Sequence, residues 1–199
     1  MRSFRFFLLA MFLLLAVGAN SSAAVRTVVI DAGHGGHDRG GGPGQRIPEK
    51  GYVLDISKRL EKELRARGFH TVMTRSGDYF VPLGTRCAIA NRQRGAVLVS
   101  VHLNSGQREG ANGIETYYYG GSSGALASAI HGRVLRAAGT EDRRVRRRGF
   151  FVLRNTRIPA VLCELGFLTN RAEAARLLTG GHRQRLAEAI AEGVTARYR

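Results

Sequence analysis

The chain has 199 residues, with 31 Lys and Arg, 15 Asp and Glu, and two Cys. Its length and 44% hydrophobic content suffice for one folded domain with a proper core and argue against intrinsic disorder, while two cysteines cannot staple a small scaffold or build a cysteine-rich metal site. A formal charge of +16 favours polyanionic surroundings such as nucleic acid, acidic lipid or an anionic wall polymer, and no internal repeat suggests a solenoid or propeller.

Residues 1–24 read as a secretory signal peptide. Arg2 and Arg5 form a positive n-region, Phe6–Val17 is an uncharged apolar run too short for a membrane span, and Ser22-Ala23-Ala24 supplies small residues for cleavage. The mature domain is expected over residues 25–199, exported to the periplasm or cell envelope, with no membrane span after cleavage. Export makes nucleic acid the poorest fit among polyanionic partners. Without Arg2 and Arg5 the formal charge is +14, nearly all of it arginine, since Lys50, Lys58 and Lys62 are the only lysines.

In chain order, Val25–Asp31 reads as a buried strand and Gly33–Pro48 as a loop. Lys50–Arg67 has Val53, Ile56, Leu60 and Leu64 at helical spacing, with Gly68 as the stop. His70–Thr74 is a second strand, Leu83–Arg94 a second helix, Ala96–His102 a continuous apolar strand, and Gly113–Tyr119 an edge strand. Leu126, Ile130 and Val134 mark a third helix, and Arg143–Arg148 a basic loop. Phe150–Leu153 and Ala160–Glu164 are short strands, and Arg171–Leu178 and Arg183–Ala196 closing helices. Strands alternating with helices predict an α/β domain with a mostly parallel sheet covered on both faces. In such sheets the functional site lies beyond the carboxyl ends of the strands.

Three apolar strands run into a residue that can bind metal or move a proton: the first into His34, the Ala96 strand into His102, and the Ala160 strand into Glu164. If these strands are parallel, the three groups meet at one sheet edge. Two imidazoles and a carboxylate make a usual catalytic zinc set with one position left open. Glu49, after Pro48 at the mouth of the first helix, is the natural third ligand. Glu164 then suits the role of a base that passes a proton to a leaving amine. His37 is a substitute ligand at most, and His70, His131 and His182 read as structural or exposed. Residues 33–42 lack the spacing of a phosphate-binding loop, and Ser100 and Ser105 are not set in a nucleophile elbow. Cys87 and Cys163 read as small core residues, with a disulfide between them the weaker alternative.

Residues 28–36 (VVIDAGHGG), Pro48-Glu49-Lys50, Thr74-Arg75, Arg86 with Ala90-Asn91, residues 100–104 (SVHLN) and residues 164–170 (ELGFLTN) together resemble the zinc-dependent N-acetylmuramoyl-L-alanine amidases of the cell-wall hydrolase class. The resemblance spans about residues 26–198. It implies a twisted, mostly parallel sheet in an α/β sandwich and hydrolysis of the amide between the muramic acid lactyl group and L-alanine in peptidoglycan. It also implies one zinc ion on His34, Glu49 and His102, Glu164 as catalytic base and acid, and a supporting role for Glu115. Asn104 is expected to bind the substrate amide, Asp31 to orient a ligand histidine, and Arg154 with the Arg143–Arg148 run to meet stem-peptide carboxylates or an anionic envelope polymer. A monomer acting on peptidoglycan or muropeptides is expected. The link Gly120–Ala125 is too short for an autoinhibitory helix and contains no acid. A zinc peptidase acting on the stem peptide and a non-catalytic wall-binding protein stay open as alternatives.

Overall fold

The structure is a computed structural model that describes residues 25–42, 45–108 and 110–199. The expected signal segment, residues 1–24, lies outside them. The elements are β1 (Thr27–Ala32), α1 (Glu49–Ala66), β2 (His70–Met73), α2 (Leu83–Asn91), β3 (Ala96–Asn104), β4 (Ile114–Tyr118), α3 (Gly124–Ala138), β5 (Asp142–Arg147), α4 (Phe151–Arg154), β6 (Ala160–Phe167), α5 (Arg171–Leu177) and α6 (Gly180–Tyr198). The six strands form one sheet in the order β2-β1-β3-β6-β4-β5, in which only the β4–β6 pairing is antiparallel. No helix among the described residues is long and apolar enough to cross a membrane.

Alternation along the strands splits the core in two. Val28, Ile30, Val97, Val99, Val161 and Cys163 face one side, where α1, α3 and α6 cover them. Val29, Leu98 and Leu162 face the other, against Cys87 and Ala90 of α2 and Val152 and Leu153 of α4. Helix α1 forms where the apolar spacing predicts, with Val53, Ile56, Leu60 and Leu64 fully buried. Both cysteines are buried and free, and they belong to opposite faces of the sheet, so the alternative of a disulfide is excluded.

Three local expectations need correction. The Gly113–Tyr119 segment is not an edge strand, because β4 lies between β6 and β5. The basic Arg143–Arg148 run is not a loop, because most of it is the edge strand β5, paired parallel to β4. Its arginines hide the strand from an alternation test but protect an exposed edge from pairing with other chains. Phe150–Leu153 is not a strand either: Val152 and Leu153 anchor the short helix α4, whose next amide, Asn155 N, donates to Phe151 O. The Gly120–Ala125 link contains a single 3₁₀ turn, Gly121–Ser123, that runs directly into α3.

Candidate active site

The chain leaves β1 toward β2 on one side and returns to β3 on the other, so the strand order reverses at β1. The crevice beyond this point receives the loop after β1, the end of β3 and the end of β6. His102 pairs with Glu164 across β3 and β6. The next registered pair is Asn104 with Phe167, so β6 carries one extra residue in a bulge, where Gly166 takes φ +118°.

His34 follows β1 with φ +60°, a costly conformation for a side-chain-bearing residue. Two buried guanidinium groups hold it there. Arg75 donates through Nε to Ala32 O (3.0 Å) and through Nη2 to Gly33 O (2.7 Å) and Lys50 O (2.8 Å). Arg86 donates through Nη1 to Ala32 O and through Nη2 to His34 O (2.7 Å). Three successive carbonyls are thereby fixed. Gly33 is required beside them, because a Cβ there would stand 2.3 Å from the His102 ring.

Among the described residues, Asp31 makes no hydrogen bond to a histidine. Its carboxylate accepts from Thr74 Oγ1 (2.7 Å), Ser100 Oγ (2.7 Å) and Arg86 Nη1 (2.8 Å). Burial works against its charge, but Arg86 and these donors hold its carboxyl below the usual range. The residue beside His34 is Asp38, whose Oδ2 lies 2.9 Å from His34 Nδ1. This leaves His34 Nε2 to face Glu49.

Glu49 is the first residue of α1. The long loop folds back as expected, with Glu49 N donating to Arg39 O at 2.9 Å. Its carboxylate lies between the two imidazoles, with Oε2 3.1 Å from His34 Nε2 and Oε1 3.1 Å from His102 Nδ1. Leu103 N also donates to Oε1 at 2.8 Å. Burial raises the Glu49 pKa, but the two histidines overcome it and bring it down to about 2. Burial equally opposes charge on His102, but Glu49 raises its pKa to about 9. The carboxylate and the imidazoles thus hold each other in their charged forms. His34, Glu49 and His102 each offer a ligand atom within 4.8 Å of the others, an arrangement that can hold a metal ion.

Glu164 lines the same cavity, of about 310 Å³, as His34, Glu49 and His102. Its Oε2 is buried without a hydrogen-bond partner, and burial pushes the carboxyl up to about 7 against the opposing pull of His102. Glu115, its partner across β4 and β6, is buried and accepts from Asn104 Nδ2 (2.7 Å), Tyr117 Oη (2.8 Å) and Arg143 Nε (3.2 Å). Asn104 lines the cavity, but its Oδ1 already accepts from Ser105 N and one Nδ2 proton already serves Glu115. Arg154 closes α4 at the surface and lines neither this cavity nor the adjoining one below. Its expected contact with stem-peptide carboxylates has no support in that placement.

The family model for N-acetylmuramoyl-L-alanine amidase (Amidase_3) matches residues 28–196. The chain belongs to this amidase family. The amidase domain is 38% identical to the Bacillus subtilis protein YqiI over 87% of this chain and 85% of YqiI. It is 35% identical to N-acetylmuramoyl-L-alanine amidase LytC of Bacillus subtilis over 87% of this chain but spans only 36% of LytC. Among solved structures, the catalytic domain of the amidase CwlV from Bacillus (Paenibacillus) polymyxa var. colistinus superposes with a TM-score of 0.82 and 38% identity, over 86% of this chain and 97% of that domain.

Within the amidase domain, sequence reasoning missed Asp38, and it gave Arg75 and Arg86 no role. An acid four residues after a candidate ligand histidine, in a Gly-rich loop, was the available signal for Asp38. The reach of two arginines back to the β1 carbonyls is tertiary and has no local sequence signature.

Proposed function

We propose that this amidase domain hydrolyses the amide between the lactyl group of N-acetylmuramic acid and L-alanine in peptidoglycan, with one zinc ion held by His34, Glu49 and His102 and with Glu164 as general base and acid. The observation that carries this reading is the meeting of a His–Glu–His ligand set with an unpartnered carboxylate oxygen in one cavity. The donor chemistry fits zinc, which takes imidazole nitrogen and carboxylate oxygen in catalytic sites with three protein ligands. Glu164 is outside the three-residue cluster, as suits a proton carrier.

Bound zinc supplies Lewis acidity, polarising the amide carbonyl and bringing the pKa of water toward ~7. The protein does the rest. Asp38 fixes the His34 ring through Nδ1. Glu49 is locked by the Leu103 amide. Glu164 would take a proton at its free oxygen from the water that adds to the lactyl carbonyl carbon, and return it to the alanine nitrogen as the C–N bond breaks. The protein is read as exported through residues 1–24 and as active without an activator, because the Gly120–Ala125 link carries no acid that can reach the site. The test is hydrolysis of sacculi by the mature protein alone. His102→Ala is expected to lose both zinc and activity, and full activity in a metal-free preparation would sink the site.

A further inference from the structure

The crevice has a second lobe that this chemistry does not use. A cavity of about 410 Å³ adjoins the ligand cluster and is lined mainly by apolar side chains, including Phe80, Val81, Leu83, Phe150 and Phe151. It shares His34, His102, Phe150 and Leu162 with the polar cavity that contains Glu164 and Asn104. The volume falls in the range that takes a small organic ligand, roughly 300–1,000 Å³. Phe80, Phe150 and Phe151 are each more than 40% exposed, and Leu83 is 51% exposed. They come from two separate segments, the β2–α2 connection with the start of α2, and the start of α4. Large apolar side chains left in water on both walls of one cavity mark a surface that something covers.

Resting on the amidase reading, we propose that this apolar lobe is the muramoyl subsite: Phe80, Leu83 and Phe151 receive the pyranose ring and N-acetyl group, and the polar lobe receives the peptide. The scissile amide then spans the shared residues. The chemistry of the two halves of the substrate decides the orientation. The stem peptide carries amides and carboxylates, which the phenyl and aliphatic walls of the apolar lobe cannot hydrogen-bond. The guanidinium lining that lobe, Arg86, is already committed to Asp31 and to the carbonyls of Ala32, His34 and Val81. The muramoyl half is uncharged at the sugar, with C–H faces and a methyl group that bury well against phenyl rings. Asp38 lines the lobe with a side chain 40% exposed; its Oδ2 faces His34 and its Oδ1 accepts from Gly40 N, which leaves a second lone pair on Oδ1 for a sugar hydroxyl.

The test compares two substrates with the same lactyl amide and the same tetrapeptide: the disaccharide-tetrapeptide and the lactoyl-tetrapeptide without sugar. The zinc-loaded wild type should prefer the first in kcat/KM. In Phe80→Ala/Phe151→Ala that preference should shrink by roughly tenfold or more, the scale of a lost hydrophobic-pocket contact. Leu83→Ser, on α2, should shrink it in the same direction and serves as a second variant should the double substitution misfold. Zinc content and melting midpoint establish that each variant is intact. A preference unchanged in the folded variants, or no preference in the wild type, overturns the subsite while leaving the amidase reading in place. The same variants responding to truncation of the peptide instead of the sugar would reverse the assignment of the lobes and overturn it too. A wild type that cleaves neither substrate overturns the amidase reading and the subsite with it.

Discussion

Glu164 has a carboxylate oxygen buried without a partner, next to a cluster whose members satisfy one another. Such a group costs stability unless it has work to do. Glu164→Gln keeps the shape and removes the proton carrier. It should retain zinc by metal analysis and lose roughly 10²–10⁴ in hydrolysis rate; loss of the metal would make Glu164 a ligand. Asp31 shows where residue-level reading stops. Its place three residues before His34 suggests a partner to the histidine, but its real partners, Thr74, Arg86 and Ser100, are brought in by three other parts of the chain. Arg86→Met leaves Asp31 buried and short of its cation, which should cost about 3–5 kcal/mol in urea unfolding. A loss well under 1 kcal/mol would show that the pair does not hold the β1 end.

At the scale of elements, β1, β3 and β6 were legible because each is a continuous apolar run, as a strand buried on both faces must be. Their parallel alignment is what turned three separate strand ends into one site. Strand β5 was illegible because a charged run with Val145 as its one apolar residue has no apolar period, and its identity comes from pairing with β4. Helix α4 was misread because four residues are too few to separate a helical period from an alternating one. His182, in the first turn of α6, reads from sequence as structural or exposed, and it is buried. Burial, reinforced by Arg185 and Arg176, lowers its pKa from 6.5 to about 4. Above pH 6.5 it is neutral whether folded or unfolded, so it adds no pH dependence. Between about 6.5 and 4 the unfolded chain takes a proton that the folded one refuses, so stability falls as pH falls. In chelator-treated protein, the drop in melting midpoint from pH 7 to pH 4.5 should be smaller for His182→Gln than for wild type. Equal drops would show that His182 does not titrate in this way.

For the whole molecule, charge and sheet topology come together at β5. Arg144, Arg147 and Arg148 are exposed along and just beyond the sheet edge, while Arg143 is half-buried against Glu115. Exposed charges act over about 8 Å at physiological ionic strength, so association with sacculi should weaken as salt rises. Replacing Arg144, Arg147 and Arg148 with Gln should weaken it further while leaving zinc content unchanged. Co-sedimentation insensitive to both salt and these arginines would reduce β5 to a protected edge. An amidase and a stem-peptide peptidase differ in which bond the crevice cuts. The most direct measurement is mass analysis of the products from sacculi digested by the mature, zinc-loaded protein with and without a chelator. An amidase should yield peptides with a free alanine amino terminus and glycans with bare lactyl groups, both absent when the chelator is present. Shortened peptides still attached to glycan, or cleavage that the chelator does not reduce, would contradict the amidase reading.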